Sequence, residues 1–388
     1  MLGQLNVTAS SSASSFKRRP QPEEDRVKGL LPLMIACVLS ACARDSATYA
    51  IASAAPSNEA YGAMTRQGTE LAVDAINKRG GVRSHRLTLV QVDDEGTGTK
   101  AAAVAQELVD ADSVLAVVGH ANSSATVAAA RVYDGQLAAV SPSASSPEIT
   151  GLSPWLFRVI PSDSVNGQDL ARFATSLGHK RAAILYENNS YGRGLADSFR
   201  RAFRGEVTLL EPVGVDGKEV EPYLAWLKLH EPGLIFVAGS DGSGLEILRE
   251  ARRQGIRSDF LGGDGWAGIT ADTTISEGVY VGAPFSTEDP RREVRDFVRA
   301  FRAKFGRDPN SFAALAYDAT MVIAAAIESA GADRAAIRDH LAAMRAEKTF
   351  EGITGRITFQ PSGDVAGKPM AMTRVHRGAL VVQSGGGK

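Results

Sequence analysis

The stretch Val114-Leu-Ala-Val-Val118-Gly-His-Ala-Asn-Ser-Ser-Ala-Thr126 decides how the chain is read. An apolar strand of five residues runs into a glycine turn, and small polar residues then open a helix over Ser123 to Tyr133. Toward the N-terminus the same unit recurs. Thr48 to Ala54 reads as a strand and Thr65 to Lys78 as a helix, with Leu71, Ala72, Ala75 and Ile76 on one stripe. That helix stops at Gly80-Gly81, where glycine suits the left-handed C-cap. Arg86 to Val92 alternates like a strand, and Lys100 to Val109 is helical.

Toward the C-terminus the alternation continues with strands at Leu137 to Val140, Ala182 to Tyr186, Val207 to Leu210, Leu234 to Val237 and Phe260 to Leu261. Helices fall at Ser164 to Leu177, Tyr191 to Phe203, Val220 to Leu229 and Gly244 to Gln254. Strands alternating with helices of this length imply parallel sheets covered on both faces. One doubly wound sheet does not hold that many strands, so the expected class is α/β with two Rossmann-like lobes.

Bulk properties exclude several functions. The 388 residues suffice for two domains, and 44% hydrophobic with 22% charged residues is a soluble, cored composition. Net charge is −1, which excludes a global basic field for nucleic acid. Pro290 to Phe305 is amphipathic, with Val294, Phe297, Val298, Phe301 and Phe305 on one stripe and six basic residues on the other face. That basic face reads as solvated. Cys37 and Cys42 are the two cysteines, and the six histidines form no HxH or HxxxH pair, so no metal and no cofactor is expected.

The N-terminus reads as an address. Gly29 to Ser40 is a short apolar run after Arg26 and Lys28, the h-region of a signal peptide. It ends in Leu39-Ser40-Ala41-Cys42, which resembles a bacterial lipobox and makes Cys42 the expected lipidation site. Ser-rich Met1 to Asp25 is unlike a signal n-region and suits a true start at Val27. Residues 1–42 are therefore set apart from the fold, as is a flexible tail over 383–388.

Two motifs imitate enzymes. Gly96-Thr-Gly-Thr-Lys-Ala101 has the form G-x-G-x-x-A, but it follows the second strand and Asp93-Asp94-Glu95 would repel a pyrophosphate. A loop with a threonine N-cap is the preferred account. Gly239-Ser-Asp-Gly-Ser-Gly244 lacks the lysine of a phosphate loop. No G-x-S-x-G elbow occurs, and His120 has no marked nucleophile beside it, so it reads as structural or cleft-lining. No catalytic set remains.

Three stretches do converge at C-terminal strand ends, where open α/β sheets place ligands. Gly119 to Thr126 presents Ser123 and Ser124 at a helix N-terminus, a site for a carboxylate. Ser141 to Glu148 is a compact polar loop. Gly262-Gly-Asp-Gly-Trp266 holds Asp264, a lone carboxylate suited to an ammonium group.

These residues resemble the type I periplasmic binding proteins of branched-chain amino acid ABC transporters. The resemblance rests on Gly68-Thr-Glu-Leu-Ala-Val-Asp-Ala-Ile-Asn-Lys-Arg-Gly-Gly81, Val118-Gly-His120 and Ser141-Pro-Ser-Ala-Ser-Ser-Pro-Glu148. Further support comes from Phe157-Arg158-x-x-Pro161-Ser-Asp163, Tyr191-Gly-Arg-Gly-Leu195, Gly352-Ile-Thr-Gly355 to Phe359, and Gly363-Asp364. It runs from about Thr48 to Val382. It implies two lobes joined by three hinge crossings, 48–159 with 287–359 and 160–286 with 360–382.

The resemblance also implies the site. Ser123 would hold the ligand α-carboxylate, Ser145 would touch carboxylate and ammonium, and Ser143 would offer its backbone carbonyl. Tyr191 would come from the second lobe, Tyr61 would line the side-chain pocket, and Asp264 would pair with the ammonium. Asp264 stands for a longer glutamate and Ser240 for a tyrosine, which leaves the ligand's side chain open. The implied protein is a monomeric, periplasmic or cell-surface lipoprotein that delivers a small amino acid to an ABC permease by hinge closure. The same fold binding an amide, urea or an aromatic or organic acid, or serving as a sensor for a receptor, stays open at this point.

Overall fold

The computed structural model describes residues 48–383, Ala346 excepted. The signal segment, Cys42 and residues 384–388 lie outside the described residues. The first sheet comprises β1 (Thr48–Ala54), β2 (Arg86–Val92), β3 (Val114–Val118), β4 (Ala139–Ser141) and β5 (Leu156–Arg158), all parallel, in the order β2-β1-β3-β4-β5. Its connecting helices are α1 (Ala60–Lys78), α2 (Gly98–Asp110) and α3 (Ser123–Tyr133).

The chain then crosses through α4 (Asp163–Ser176) to the second sheet. Parallel strands β6 (Arg181–Glu187), β7 (Glu206–Val213), β8 (Leu234–Ala238), β9 (Asp259–Gly262) and β10 (Tyr280–Ala283) alternate with α5 (Ser190–Ala202), α6 (Glu221–His230), α7 (Asp241–Gln254) and the short α8 (Thr273–Ser276). It returns to the first lobe with α9 (Arg292–Phe305), α10 (Ser311–Ala330), α11 (Arg334–Ala342) and the small hairpin β11 (Phe350–Gly352) and β12 (Gly355–Ile357). A third crossing leads to β13 (Ala371–His376) and β14 (Ala379–Val382), which pair antiparallel on the edge of the second sheet. That sheet runs β14-β13-β10-β9-β8-β6-β7.

The parallel cores share one winding. Reading β6 to β10 as the counterparts of β1 to β5, both sheets carry the order 2-1-3-4-5, with the switch point beside the first strand. A ligand crevice forms outside the carboxyl ends of the strands at such a point. Each lobe has its own apolar layers. Ile51, Val118, Val140 and Phe157 pack with α10 residues in the first, and Leu185, Val237 and Phe260 pack with α6 and α7 residues in the second.

Several elements depart from the sequence reading, for tertiary reasons. The helix expected from Thr65 begins at Ala60, its N-cap Glu59 making no capping bond. Tyr61 and Met64 instead lie in an apolar cluster with Phe312, and that packing supports the extra turn. The strand expected from Leu137 begins at Ala139, because the Leu137 N–H still returns to Tyr133 of the preceding helix. The helix expected from Gly244 begins at Asp241, and the one expected from Pro290 begins at Arg292. Gln383, placed at the start of the tail, donates its N–H to Met372 O at 2.8 Å.

Helix α10 is long and apolar enough to cross a membrane by composition, yet it is a core helix, packed along α1 and against β3 and β4. The basic face of α9 is laced with ion pairs: Asp296 with Arg292 and Arg299, Asp308 with Arg302, and Glu70 with Lys304. Those partners suit a solvated face and give it no concentrated positive field.

Candidate ligand-binding cleft

A cavity of about 650 Å³ opens between the carboxyl ends of the two sheets. The first lobe contributes Tyr61 from α1, Gly96 from the β2–α2 loop, Asn122 to Ser124 at the start of α3, Ser143 after β4, and Phe312 from α10. The second contributes Glu187 at the end of β6, Tyr191 from α5, Ser240 after β8, and Asp264 with Gly265 after β9. Of the seven residues expected at the ligand, Ser123, Ser143, Tyr191, Asp264, Tyr61 and Ser240 all line this cavity.

The hydroxyls differ in what they have left to offer. Asn122 caps α3 by accepting the Ala125 N–H at 2.8 Å, so Ser123 is free of the capping duty that small polar residues often have. Ser123 Oγ accepts the Ser146 N–H at 3.2 Å, which leaves its own O–H to donate at the positive end of the helix. Ser143 commits its proton to Ala121 O at 2.6 Å and Ser240 commits its own to Glu187 Oε1 at 2.6 Å. Tyr61 Oη accepts from Asn122 Nδ2 at 3.2 Å.

Ser145 is placed differently from expectation. It is fully buried, does not line the cavity, and its Oγ lies 3.0 Å from Asp163 Oδ2. The Ser145 backbone carbonyl also accepts the Asp163 N–H at 2.8 Å, so the loop after β4 is pinned to the start of α4 instead of projecting into the cleft.

Asp264 sits in a one-turn 3-10 helix at the end of β9, 3% exposed. Two glycines allow this. A Cβ at Gly262 would come within 2.1 Å of the Trp266 indole, and one at Gly265 within 2.5 Å of Gly239 O. Tyr191 donates its O–H to Asp264 Oδ1 at 3.2 Å and accepts the Gly265 N–H at 3.0 Å. No lysine, arginine or histidine among the described residues forms an ion pair with Asp264. Burial drives its carboxyl up to about 6, against the opposing pull of its hydrogen bonds. Burial and the nearby Asp264 charge likewise push the Tyr191 phenol well up.

Three residues lining the cavity were not assigned from the sequence. Glu187 accepts from the Ser240 N–H at 2.8 Å, from both Ser240 and Ser243 hydroxyls, and from Asn189 Nδ2, which fixes the second lobe's rim. Asn122 was legible as an N-cap. Phe312 lies on a helix whose relation to the cleft no local pattern signals. His120 is structural: Nδ1 meets Asp94 Oδ2 at 2.7 Å and Nε2 meets Tyr133 Oη at 2.9 Å, all buried. The Gly96 loop is a Thr97 N-cap accepting from Lys100 N–H, as read. Among the described residues no three His, Cys, Asp or Glu side chains gather as metal ligands would.

The lobes also touch beside the cavity. The Ser190 N–H donates to Ser124 Oγ at 3.4 Å, and Ser190 Oγ donates to Glu148 Oε2 at 3.0 Å.

Two α/β lobes facing each other across a polar cleft, joined by three crossings, define a bilobed solute-binding protein. Residues 52–379 match the model of the periplasmic binding protein family, and the chain belongs to that family. Membership implies an extracytoplasmic place of work. A leucine-, isoleucine-, valine-, threonine- and alanine-binding protein of Pseudomonas aeruginosa is 32% identical over 332 residues, 82% of this chain and 87% of the relative. The branched-chain amino acid transporter substrate binding protein LivJ from Streptococcus pneumoniae, solved with isoleucine, is 30% identical with a TM-score of 0.81, over 87% of this chain and 99% of that one. An ABC transporter substrate-binding protein from Desulfitobacterium hafniense, solved with leucine, is 31% identical with a TM-score of 0.74, over 87% of this chain and 100% of that one.

Proposed function

We propose that this chain captures a small amino acid, branched-chain or related, and delivers it to an ABC permease without chemical change. The observation that carries the reading is Asp264: a buried carboxylate lining the cavity, with no ion pair among the described residues, across the cleft from the Ser123 hydroxyl and the N-terminus of α3. A zwitterion satisfies both ends. Its carboxylate meets the donor and the helix dipole, and its ammonium supplies the charge that Asp264 lacks. A simple organic or aromatic acid satisfies only the first. The printed ligands of the relatives, leucine and isoleucine among them, support the same class.

In this reading Ser123 holds the carboxylate, Ser143 offers its backbone carbonyl, and Tyr191 and Asp264 hold the ammonium. Tyr61 and Phe312 form the apolar wall, and Ser240 leaves more room than a tyrosine would. The lobes are residues 48–159 with 287–359 and residues 160–286 with 360–382. Closure about the three crossings buries the ligand, and the protein works as a monomer tethered through lipid on Cys42.

The test is a thermal-shift screen of L-amino acids, amides and aromatic acids on the purified chain. A ligand at about a hundred times its Kd adds about 2.7 kcal/mol to the native state, enough to move the transition by degrees. Stabilisation by an aromatic acid or an amide and by no amino acid would overturn the assignment.

A further inference from the structure

Behind Asp264 lies a second carboxylate that the ligand reading does not use. Asp163, the first residue of α4 in the first hinge crossing, is completely buried. Its neighbours are neutral: Ser145 Oγ at 3.0 Å from Oδ2 and Asn166 Nδ2 at 3.3 Å from Oδ1. Asp264 is close enough for its charge to weigh on Asp163, and the Tyr191 phenol feels both carboxylates and Glu187. The Arg158 charge also acts on Asp163, but its guanidinium is committed elsewhere. It pairs with Asp364 at 2.6 Å and donates to Ser146 O at 2.8 Å and Thr150 Oγ1 at 2.8 Å.

Counting donors against acceptors shows a deficit. The cluster holds four carboxylate oxygens and the Asn166 amide oxygen. Its donors are the Ser145 hydroxyl, the Tyr191 hydroxyl, the Asp264 backbone N–H and the Asn166 amide, which also donates to Pro161 O. Asn166 Oδ1 is buried with no hydrogen-bond partner among the described residues. A buried cluster richer in acceptors than donors is short of a proton, since leaving such groups unpaired is costly. Charge leads to the same result. Two ionised carboxylates would leave a buried excess negative charge even after one ligand ammonium arrived, whereas one shared proton leaves a single charge to match a single cation. Burial, then the Asp264 charge, favours the neutral form of Asp163.

We infer that Asp163 holds a proton at neutral pH, so that the Asp163–Asp264 pair presents one negative charge to the ligand's ammonium. Asp163 is then a positioning residue, acting through Asp264 and Ser145. The 3.0 Å contact with Ser145 serves a proton in either direction. When Asp163 is the donor, the Ser145 O–H is released for another acceptor. The inference builds on the amino-acid reading but is measured separately from it.

The experiment is carboxyl ¹³C NMR of the unliganded full chain, labelled at aspartate and titrated from pH 5 to 9. The Asp163 signal is assigned through its own backbone and checked by its loss in Asp163→Asn. A protonated Asp163 carboxyl at pH 7 is expected. Asp163→Asn, which keeps the neutral shape, should bind L-leucine within about threefold of the native chain at pH 7, while Asp264→Asn should lose at least thirtyfold. An ionised Asp163 at pH 7, or an Asp163→Asn loss as large as that of Asp264→Asn, overturns the inference. Failure of the native chain to bind L-leucine or any other amino acid would sink the functional reading instead, and the carboxyl titration would still decide the protonation of Asp163.

Discussion

The cleft and the hinge both bury carboxylates, and they treat them in opposite ways. At the hinge, Asp318 of α10 accepts the N–H groups of Ile353 and Thr354 at 2.9 and 2.8 Å together with the Thr354 hydroxyl, and it is opposed by Lys368. Lys368 Nζ donates to Val159 O at 2.9 Å and to Thr354 Oγ1. Arg291 donates to Gly352 O at 3.1 Å and to Ile353 O at 2.6 Å. Lysine, aspartate and arginine thus tie the three crossings together from within the protein. In the cleft, Asp264 has the Tyr191 hydroxyl for company and no ion pair among the described residues. A buried charge left without its partner is costly. Where the chain supplies the partner, the result is a joint; where it does not, burial pushes the carboxyl up toward its neutral form.

The contrast can be broken by removing one charge from each side. Asp264→Ala should cost about 3–5 kcal/mol of ligand affinity, the effect of leaving a buried ammonium unpaired. Calorimetry with the amino acid found in the screen reads this, and undiminished affinity would remove Asp264 from the site. Lys368→Met should cost about 3–5 kcal/mol too, but in folding stability, because Asp318 is then left alone. Denaturant unfolding measures it, and adding Asp318→Asn to the same chain should recover much of the loss.

Unliganded Asp264→Asn should do the reverse and stabilise. The folded-state carboxyl titrates at about 6, above the unfolded value near 3.9, so the folded state binds the extra proton between those two points. Stability therefore falls as pH rises through that window, and above it the ionised Asp264 costs on the order of 2–3 kcal/mol. Asparagine removes that cost, so the variant should melt higher than the native chain at pH 8 and show little difference near pH 4.

Ligand affinity has the opposite slope. The ammonium group needs Asp264 ionised, so the Kd should be flat at and above pH 7 and weaken by up to about tenfold per pH unit well below 6. Titrations from pH 4.5 to 8 test this, and a flat profile would show that Asp264 carries no proton in that range. The smallest effect is expected from Tyr191→Phe, which loses one hydroxyl bridging Asp264 and the Gly265 N–H. About 1 kcal/mol of affinity should go with it.

Much of this was legible locally. The strands Thr48–Ala54, Arg86–Val92 and Val114–Val118 and the helix Ser123–Tyr133 have the bounds that their residues suggest. At Val114–Val118 and Ser123–Tyr133 the apolar spacing coincides with the glycine turn at Gly119 and the Asn122 cap. Six of the seven ligand candidates line one cavity for a related reason: strand ends followed by small polar residues are visible in one dimension, and parallel winding brings such ends together. Ser145 lay in the right loop, but its hydroxyl faces Asp163, because the start of α4 captures it. Phe312 and the first turn of α1 escaped for a shared reason, since each owes its place to the other.

By itself the sequence determined the α/β alternation and the short list of polar residues at strand ends, because periodicity, caps and glycine turns act over a few residues. Tertiary structure alone decided which of those polar groups still have a proton to give. Ser123 keeps its own, Ser143 and Ser240 have spent theirs, and Asp264 is left without a cation. Those properties depend on partners 22 to 73 residues away, and the burial that shifts a carboxylate exists only once the lobes have packed around it.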